Sequence, residues 1–211
     1  MLSNPQYRSD INIATDILVN CDPRLAEIIS ALGPCTLERR EQGFISLVRS
    51  IVSQQLSKWA AQSIQHKLES LFDKNGINPE RFLEIQEEEL LKTGLSRPKV
   101  KYIKGLASYA LSDEINFNEL ESQDDEDVIQ KLTQIKGIGR WTAEMYLMFS
   151  LNRLDVFPLD DAAIRNAMTD IYDISKDNFE NQALNIAERW RPYRTIACWY
   201  LYRYINSQRG S

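Results

Sequence analysis

One histidine and three cysteines leave little room for metal or disulfide chemistry. His66 has no CxxC beside it and no second histidine, so a zinc site built on it is set aside and it reads as a polar position on a helix. Cys21, Cys35 and Cys198 are odd in number and widely spaced, which fits neither a disulfide framework nor a metal motif. They are expected to stay reduced, as small buried or half-buried side chains. No apolar run approaches the ~20 residues that a membrane span needs, and "MLSNPQYRSD" lacks the charged-then-apolar order of a signal peptide. The expectation is a cytosolic protein with no membrane partner. Glycine is scarce too, at eight in 211 residues.

What is present is ample apolar content: 43% of the residues, enough for one large core or two small ones. Those residues recur at helical spacing almost everywhere, with no clear strand alternation, so the chain reads as all-α. Helices are expected over residues 10–19, from Pro23 to near Gly33, over 44–53 and 57–72, around 80–83, and over 87–92. Ser96 is the expected N-cap of "RPKVKYIKGLASYAL". Further helices are expected over 126–134, through "RWTAEMYLMFSL" to about residue 149, from "DAAIRNAM", and through a long aromatic terminal segment, "RPYRTIACWYLYRYI". No repeat or low-complexity linker interrupts the pattern.

The net charge of −5 argues against a nucleic-acid partner only until its distribution is considered. Residues 113–127 hold eight acids (Asp113, Glu114, Glu119, Glu121, Asp124, Asp125, Glu126, Asp127) and no base. Lys92, Arg97, Lys99, Lys101 and Lys104 precede that run, and Lys131, Lys136 and Arg140 follow it. Such polarity permits a basic working face with an acidic back, or ordinary solvated surfaces.

Two segments carry chemistry. In "IKGIGRWTAEM", Gly137 and Gly139 stand between two helical patterns. A helix, a glycine turn that can take positive φ, and a second helix form a helix-hairpin-helix unit, over about 126–149. Its bare N–H groups can approach a phosphate, with Lys136 and Arg140 adding charge; such contacts position a protein without reading bases. A plain αα-turn is the alternative. In "DVFPLDDAAIRNAM", Asp160 and Asp161 stand where a helix should begin after Pro158. One of the pair is expected to cap that helix. The other can face a cleft as an anion, stabilising a sugar cation or helping water to attack it.

Taken together, "LTQIKGIGRWTAEMYLMFSLNRLDVFPLDDAAIRNAM", "FISLVRSIVSQQLSKWAAQSI" and "ERWRPYRTIACWYLYRYI" resemble the helix-hairpin-helix DNA glycosylase superfamily. The likeness spans residues 44–205 and is strongest to the alkylation-repair branch, DNA-3-methyladenine glycosylase II. It implies two helical subdomains with an active-site cleft between them, one of residues 1–43 with 156–211 and the other of 44–155. It implies a monomer acting on double-stranded DNA with alkylated bases, in the cytoplasm and nucleoid of a bacterium or the nucleus of a eukaryote.

The site roles follow from the same resemblance. Gly137 and Gly139, with Lys136 and Arg140, would grip the DNA backbone, and a monovalent cation (sodium or potassium) could share the hairpin carbonyls with a phosphate. Asp161, followed by x-x-Ile in Ile164, takes the catalytic position, leaving Asp160 as helix cap or supporting acid. The flipped base leaves a space that Gln55, with Leu56 beside it, would fill. Trp141, Trp199 and Tyr202 are candidate faces for a cationic base, whereas Trp59 and Trp190 read as packing residues. Trp141 occupies the position at which strand-cutting relatives carry a Schiff-base lysine, which implies a monofunctional enzyme without lyase activity. With only Cys198 near the C-terminus, no iron-sulfur cluster is implied, and no side-chain metal site. A non-catalytic module that binds bent or damaged DNA, and an all-α interaction scaffold, are the rival readings.

Overall fold

Helix α1 (Pro5–Cys21) buries Ile11, Ala14 and Leu18, one stripe at three- and four-residue spacing. That stripe packs on α2 (Pro23–Leu32), which has Pro23 in its first turn and Asp22 as its cap, and on α12 (Arg194–Arg209). Helix α10 (Ala162–Tyr172) lies against α12 and buries Ile164, Ala167 and Met168. Helix α11 (Phe179–Glu188) contributes Phe179, Ala183 and Ala187. These five helices form one of two compact units, residues Met1–Arg39 and Asn152–Ser211.

The second unit is Arg40–Leu151. At its centre is α7 (Arg97–Leu111), whose Val100, Ile103, Leu106 and Ala107 are buried against α3 (Gly43–Ser53), α5 (Pro79–Glu84) and α6 (Glu87–Lys92). Helix α4 (Lys58–Glu69) packs on α3, and α8 (Asp125–Thr133) pairs with α9 (Arg140–Phe149). A short 3₁₀ turn, Glu119–Ser122, precedes α8.

The computed structural model describes residues 5–38, 41–72, 76–112 and 115–209; among these there is no strand, and the all-α expectation holds. Asp113 and Glu114 of the acidic run and the first four residues lie outside the described residues. Two features differ from expectation. Helix α1 is longer at both ends than residues 10–19, and α11 was not foreseen. Ser96 holds the N-cap position of α7 as expected, although its side-chain oxygen accepts no hydrogen bond from a backbone N–H, and Pro98 in that turn has no N–H to satisfy.

Candidate active site and nucleic-acid interface

The hairpin between α8 and α9 closes through one tight turn. Ile138 N–H donates to the Ile135 carbonyl at 3.0 Å, and Gly137 in the third position has φ +96°. A positive φ there is the mark of a type II turn and favours glycine. Gly137 has a second reason to be glycine: a Cβ would lie 2.5 Å from Cγ and Cδ2 of Tyr102 on α7. Gly139 has neither reason. Its φ is −93°, and nothing lies within 4 Å of the position a Cβ would take. It is exposed, it is the N-cap of α9, and no side chain caps that helix. The missing side chain therefore leaves helix N–H groups open to the outside rather than relieving internal crowding.

Lys136 beside the turn is exposed, as a phosphate contact requires. Arg140 is placed differently from its expected role. Its Nη1 and Nη2 reach Glu126 Oε1 and Oε2 at 2.8 and 2.9 Å, and its Nε reaches Glu144 at 3.1 Å. The hydrogen bonds from Arg140 hold the Glu126 carboxyl below the usual carboxylate range. The guanidinium thus ties α8 to α9 and has its charge matched within the unit, so Lys136 is the better-placed cation for a phosphate. Trp141 follows on the first turn of α9, 44% exposed.

The loop between α3 and α4 is a second turn of the same kind. Leu56 N–H donates to the Ser53 carbonyl at 3.2 Å, Gln54 has φ −52° and ψ 129°, and Gln55 has φ +56°. A side chain in this left-handed region costs about 1–2 kcal/mol, so its surroundings must hold it there. Gln55 and Leu56 are both exposed, and Ser57 caps α4 by accepting from Ala60 N–H. Gln54 is turned the other way: its Nε2 donates to the Gly137 carbonyl at 2.9 Å, joining this loop to the hairpin. Lys99 on α7 donates from Nζ to the carbonyls of Val52 at 2.7 Å and Gln54 at 2.8 Å. Burial draws its ammonium below the ordinary lysine range.

In the first unit, Asp161 is the N-cap of α10. Its Oδ1 accepts from Ala163 N–H at 2.8 Å and Ile164 N–H at 2.9 Å, and the residue is only 6% exposed. Asp160 precedes the cap and is exposed, so the capping role assigned to Asp160 passes to Asp161. One carboxylate both starts the helix and stands at its positive end.

The connector that delivers Asp161 is held on three sides. Asp161 N–H bonds the Pro158 carbonyl at 3.0 Å, and Phe157 packs edge-on against Trp190 with centroids 6.0 Å apart. Upstream, Arg194 makes a two-pronged pair with Asp155, Nε to Oδ1 at 2.6 Å and Nη2 to Oδ2 at 3.0 Å, and Arg191 adds a bond at 2.6 Å. Thr195 locks the same strip: its Oγ1 donates to the Arg153 carbonyl at 2.6 Å and accepts from Val156 N–H at 3.0 Å. The "WRPYR" segment thus braces the approach to the candidate catalytic carboxylate.

Trp199 and Tyr202 lie on α12, the helix against which α10 packs, and both are half-buried. Trp199 meets Tyr200 edge-on at 4.9 Å, and the Arg203 guanidinium stands 5.5 Å from its ring centre, so one cation already occupies that aromatic. Trp190 is fully buried, a packing residue as expected. Trp59 is not: it is 82% exposed on the first turn of α4, two residues after the Ser57 cap. Gln54, Lys99, Tyr102, Asp155 and Arg194 were not singled out from the sequence. The "SQQLS" stretch points toward Gln54, the basic run before the acidic segment includes Lys99, and the "WRPYR" segment points toward Arg194.

Residues 48–192 match the family described as HhH-GPD superfamily base excision DNA repair protein. Among curated relatives, the alkylbase DNA glycosidase-like protein mag2 of Schizosaccharomyces pombe is 32% identical, over 92% of this chain and 94% of its own length. DNA-3-methyladenine glycosylase 1 of the same organism is 35% identical, over 85% and 80%. Among solved structures, S. pombe 3-methyladenine DNA glycosylase (Mag1) in complex with abasic DNA aligns with a TM-score of 0.82 and 34% identity, covering 90% of this chain and 95% of that one.

Proposed function

Because the chain belongs to the HhH-GPD superfamily of base excision DNA repair proteins, we propose that it is a monofunctional DNA glycosylase, like DNA-3-methyladenine glycosylase II, that removes alkylated bases from duplex DNA as a monomer. The observation that carries this reading is Asp161: a carboxylate 6% exposed, fixed through one oxygen by two backbone N–H groups at a helix start. Names of similar proteins, 3-methyladenine DNA glycosylases among them, support the substrate class.

The chemistry follows from the charge of the lesion. An alkylated purine such as 3-methyladenine is cationic within DNA, so when its C1′–N bond breaks the bonding electrons neutralise the leaving ring. No general acid is needed, and one carboxylate can serve. Asp161 stabilises positive charge developing on the sugar, and water adds to C1′ as its proton passes to the carboxylate. The products are a free base and an intact strand with an abasic site. Gly139 and Lys136 take the backbone phosphate, and Gln55 with Leu56 fills the space the flipped nucleotide vacates. Trp141 and Tyr202 remain the candidate faces for the base.

A monovalent cation fits the hairpin by donor chemistry, since turn carbonyls are the ligands such ions take. The Gly137 carbonyl is engaged by Gln54, so the neighbouring carbonyls of the turn would hold the ion. When bound, it would supply a positive charge for a phosphate oxygen.

The test is incubation with methylated duplex DNA and identification of released bases, with Asp161→Asn beside the wild type. The reading requires base release by the wild type, near-complete loss in the variant with DNA binding kept, and no protein–DNA adduct on borohydride reduction. Equal release by both proteins removes Asp161 from the chemistry. Trapping of an adduct removes the monofunctional assignment, and binding without release by the wild type leaves a non-catalytic damage-binding module.

A further inference from the structure

The turn at residues 53–56 poses a problem that its own sequence does not solve. Gln55 carries a side chain at φ +56°, where glycine or asparagine would be the easier choice. In a type II turn the central peptide, here Gln54 C=O with Gln55 N–H, is flipped relative to a type I turn, and that flip sends the third residue into the left-handed region. Whatever holds the Gln54 carbonyl in the flipped orientation therefore sets the direction in which Gln55 leaves the backbone.

Lys99 holds that carbonyl. Its Nζ donates to Gln54 O at 2.8 Å and, at 2.7 Å, to Val52 O near the C-terminal end of α3, where a positive charge also complements the helix dipole. The Gln54 side chain adds a third restraint through its 2.9 Å bond to Gly137 O in the hairpin. Tyr102, one helical turn beyond Lys99 on α7, packs over Gly137. One face of α7 thus contacts both of these turns, with Lys99 on the first and Tyr102 on the second.

We propose that Lys99 is a positioning residue for base flipping: by holding the Gln54–Gln55 peptide flipped, it aims Gln55 into the DNA stack and ties that aim to the hairpin that grips the backbone. This rests on the glycosylase reading above. Lys99 itself touches neither the base nor the sugar.

Two measurements test it. The first needs no DNA. A double-mutant cycle in thermal unfolding combines Lys99→Met with Gln55→Gly. Glycine takes positive φ freely, so the loss in Tm caused by Lys99→Met should shrink by at least about half in the Gln55→Gly background. An undiminished loss overturns the proposal. The second compares single-turnover base release by Lys99→Met from two DNAs, one with the alkylated base paired in a duplex and one with it in a single-nucleotide bulge. A bulged base is already unpaired and needs less help to leave the stack. Release from the paired site should slow about tenfold or more, and from the bulge by less than about threefold, with Lys99→Arg restoring the paired rate. Equal slowing on both DNAs marks Lys99 as generally structural and overturns the proposal; so does no slowing on either. If Lys99→Met does not fold at the assay temperature, Lys99→Gln replaces it in both measurements. Absence of release by the wild type sinks the glycosylase reading itself, and an undiminished Tm loss with normal wild-type release sinks only the role of Lys99.

Discussion

The indole nitrogen of Trp190 donates to Asp22 Oδ2 at 2.9 Å, while Oδ1 of the same carboxylate caps α2 through Arg24 N–H and Leu25 N–H at 3.1 Å each. Tyr172 also donates its hydroxyl to Oδ2, at 2.9 Å. A single carboxylate, 1% exposed, thereby joins the start of α2, the end of α10 and the core tryptophan on which Phe157 rests.

Asp22→Ala removes a helix cap and leaves one buried donor, Trp190, and one half-buried donor, Tyr172, without their acceptor. The cap is worth about 0.5–2 kcal/mol and each stranded donor about 1–3. A loss of about 3–5 kcal/mol is expected from urea midpoints at unchanged slope, and a smaller one for Asp22→Asn, which keeps an acceptor. A change below about 1 kcal/mol for the alanine variant would show that this carboxylate does not organise the core.

The two hairpin glycines should respond in opposite ways to the same substitution. Gly137→Ala meets both a positive φ and the Tyr102 ring, so about 2–4 kcal/mol of stability should be lost. Gly139→Ala meets neither, and its Tm should stay near wild type. Its affinity for duplex DNA should nevertheless fall by about tenfold, because a methyl group would stand between the backbone and a phosphate. Titration of both variants against a labelled duplex, beside thermal melts, separates the fold-keeping glycine from the one that meets the ligand.

At Asp161, cap and chemistry can be separated by the choice of substitution. Asparagine keeps an oxygen for Ala163 and Ile164 N–H but cannot take a proton from water, so Asp161→Asn should melt near wild type and lose about 10²–10⁴-fold in base release. Asp161→Ala should lose the same activity and also about 1 kcal/mol of stability. Asp160→Asn, at an exposed carboxylate outside the cap, should leave release within about threefold. Loss of activity on changing Asp160 alone would reverse the assignment.

Cys35 gives the fold a dependence on alkaline pH. Burial pushes its thiol from 9.0 up to about 11. The folded state thus holds the proton more tightly than the unfolded chain, so the contribution is complete below pH 9 and lost as pH rises from 9 towards about 11. By then the loss should be about 2 kcal/mol. Comparing wild type with Cys35→Ala isolates it: the difference between their unfolding free energies should be flat up to about pH 9 and then shrink.

Much of this was readable along the chain because it is local. The hairpin glycines, the acidic pair before α10 and the apolar stripes of α3 and α7 each declare themselves within a few residues. What was not readable depends on side chains meeting across long separations. Nothing near Gln54 announces that its amide turns to Gly137, or that Lys99 reaches back to the same turn. Arg140 looked like a phosphate ligand because its carboxylate partners lie four residues ahead and fourteen behind, at distances set by the pairing of α8 with α9. The x-x-Ile pattern distinguishes Asp161 from Asp160, but which of them caps depends on where the turn after Pro158 ends. Trp59 and Trp190 show the limit most plainly: Trp59 is followed by two alanines and Trp190 is flanked by arginines, yet only Trp190 finds a core.

The contrast between those two tryptophans has an optical consequence. Trp190 is shielded from solvent, whereas Trp59 stands in it at 82% exposure, beside the turn that carries Gln55 and Leu56. Its emission should lie at the red edge of the protein's fluorescence and be the first to be extinguished by a dissolved quencher such as iodide. The chain therefore carries, without any label, a light source at the edge of the loop expected to enter DNA, and shielding of that one indole from iodide would report the loop's arrival in the duplex in real time.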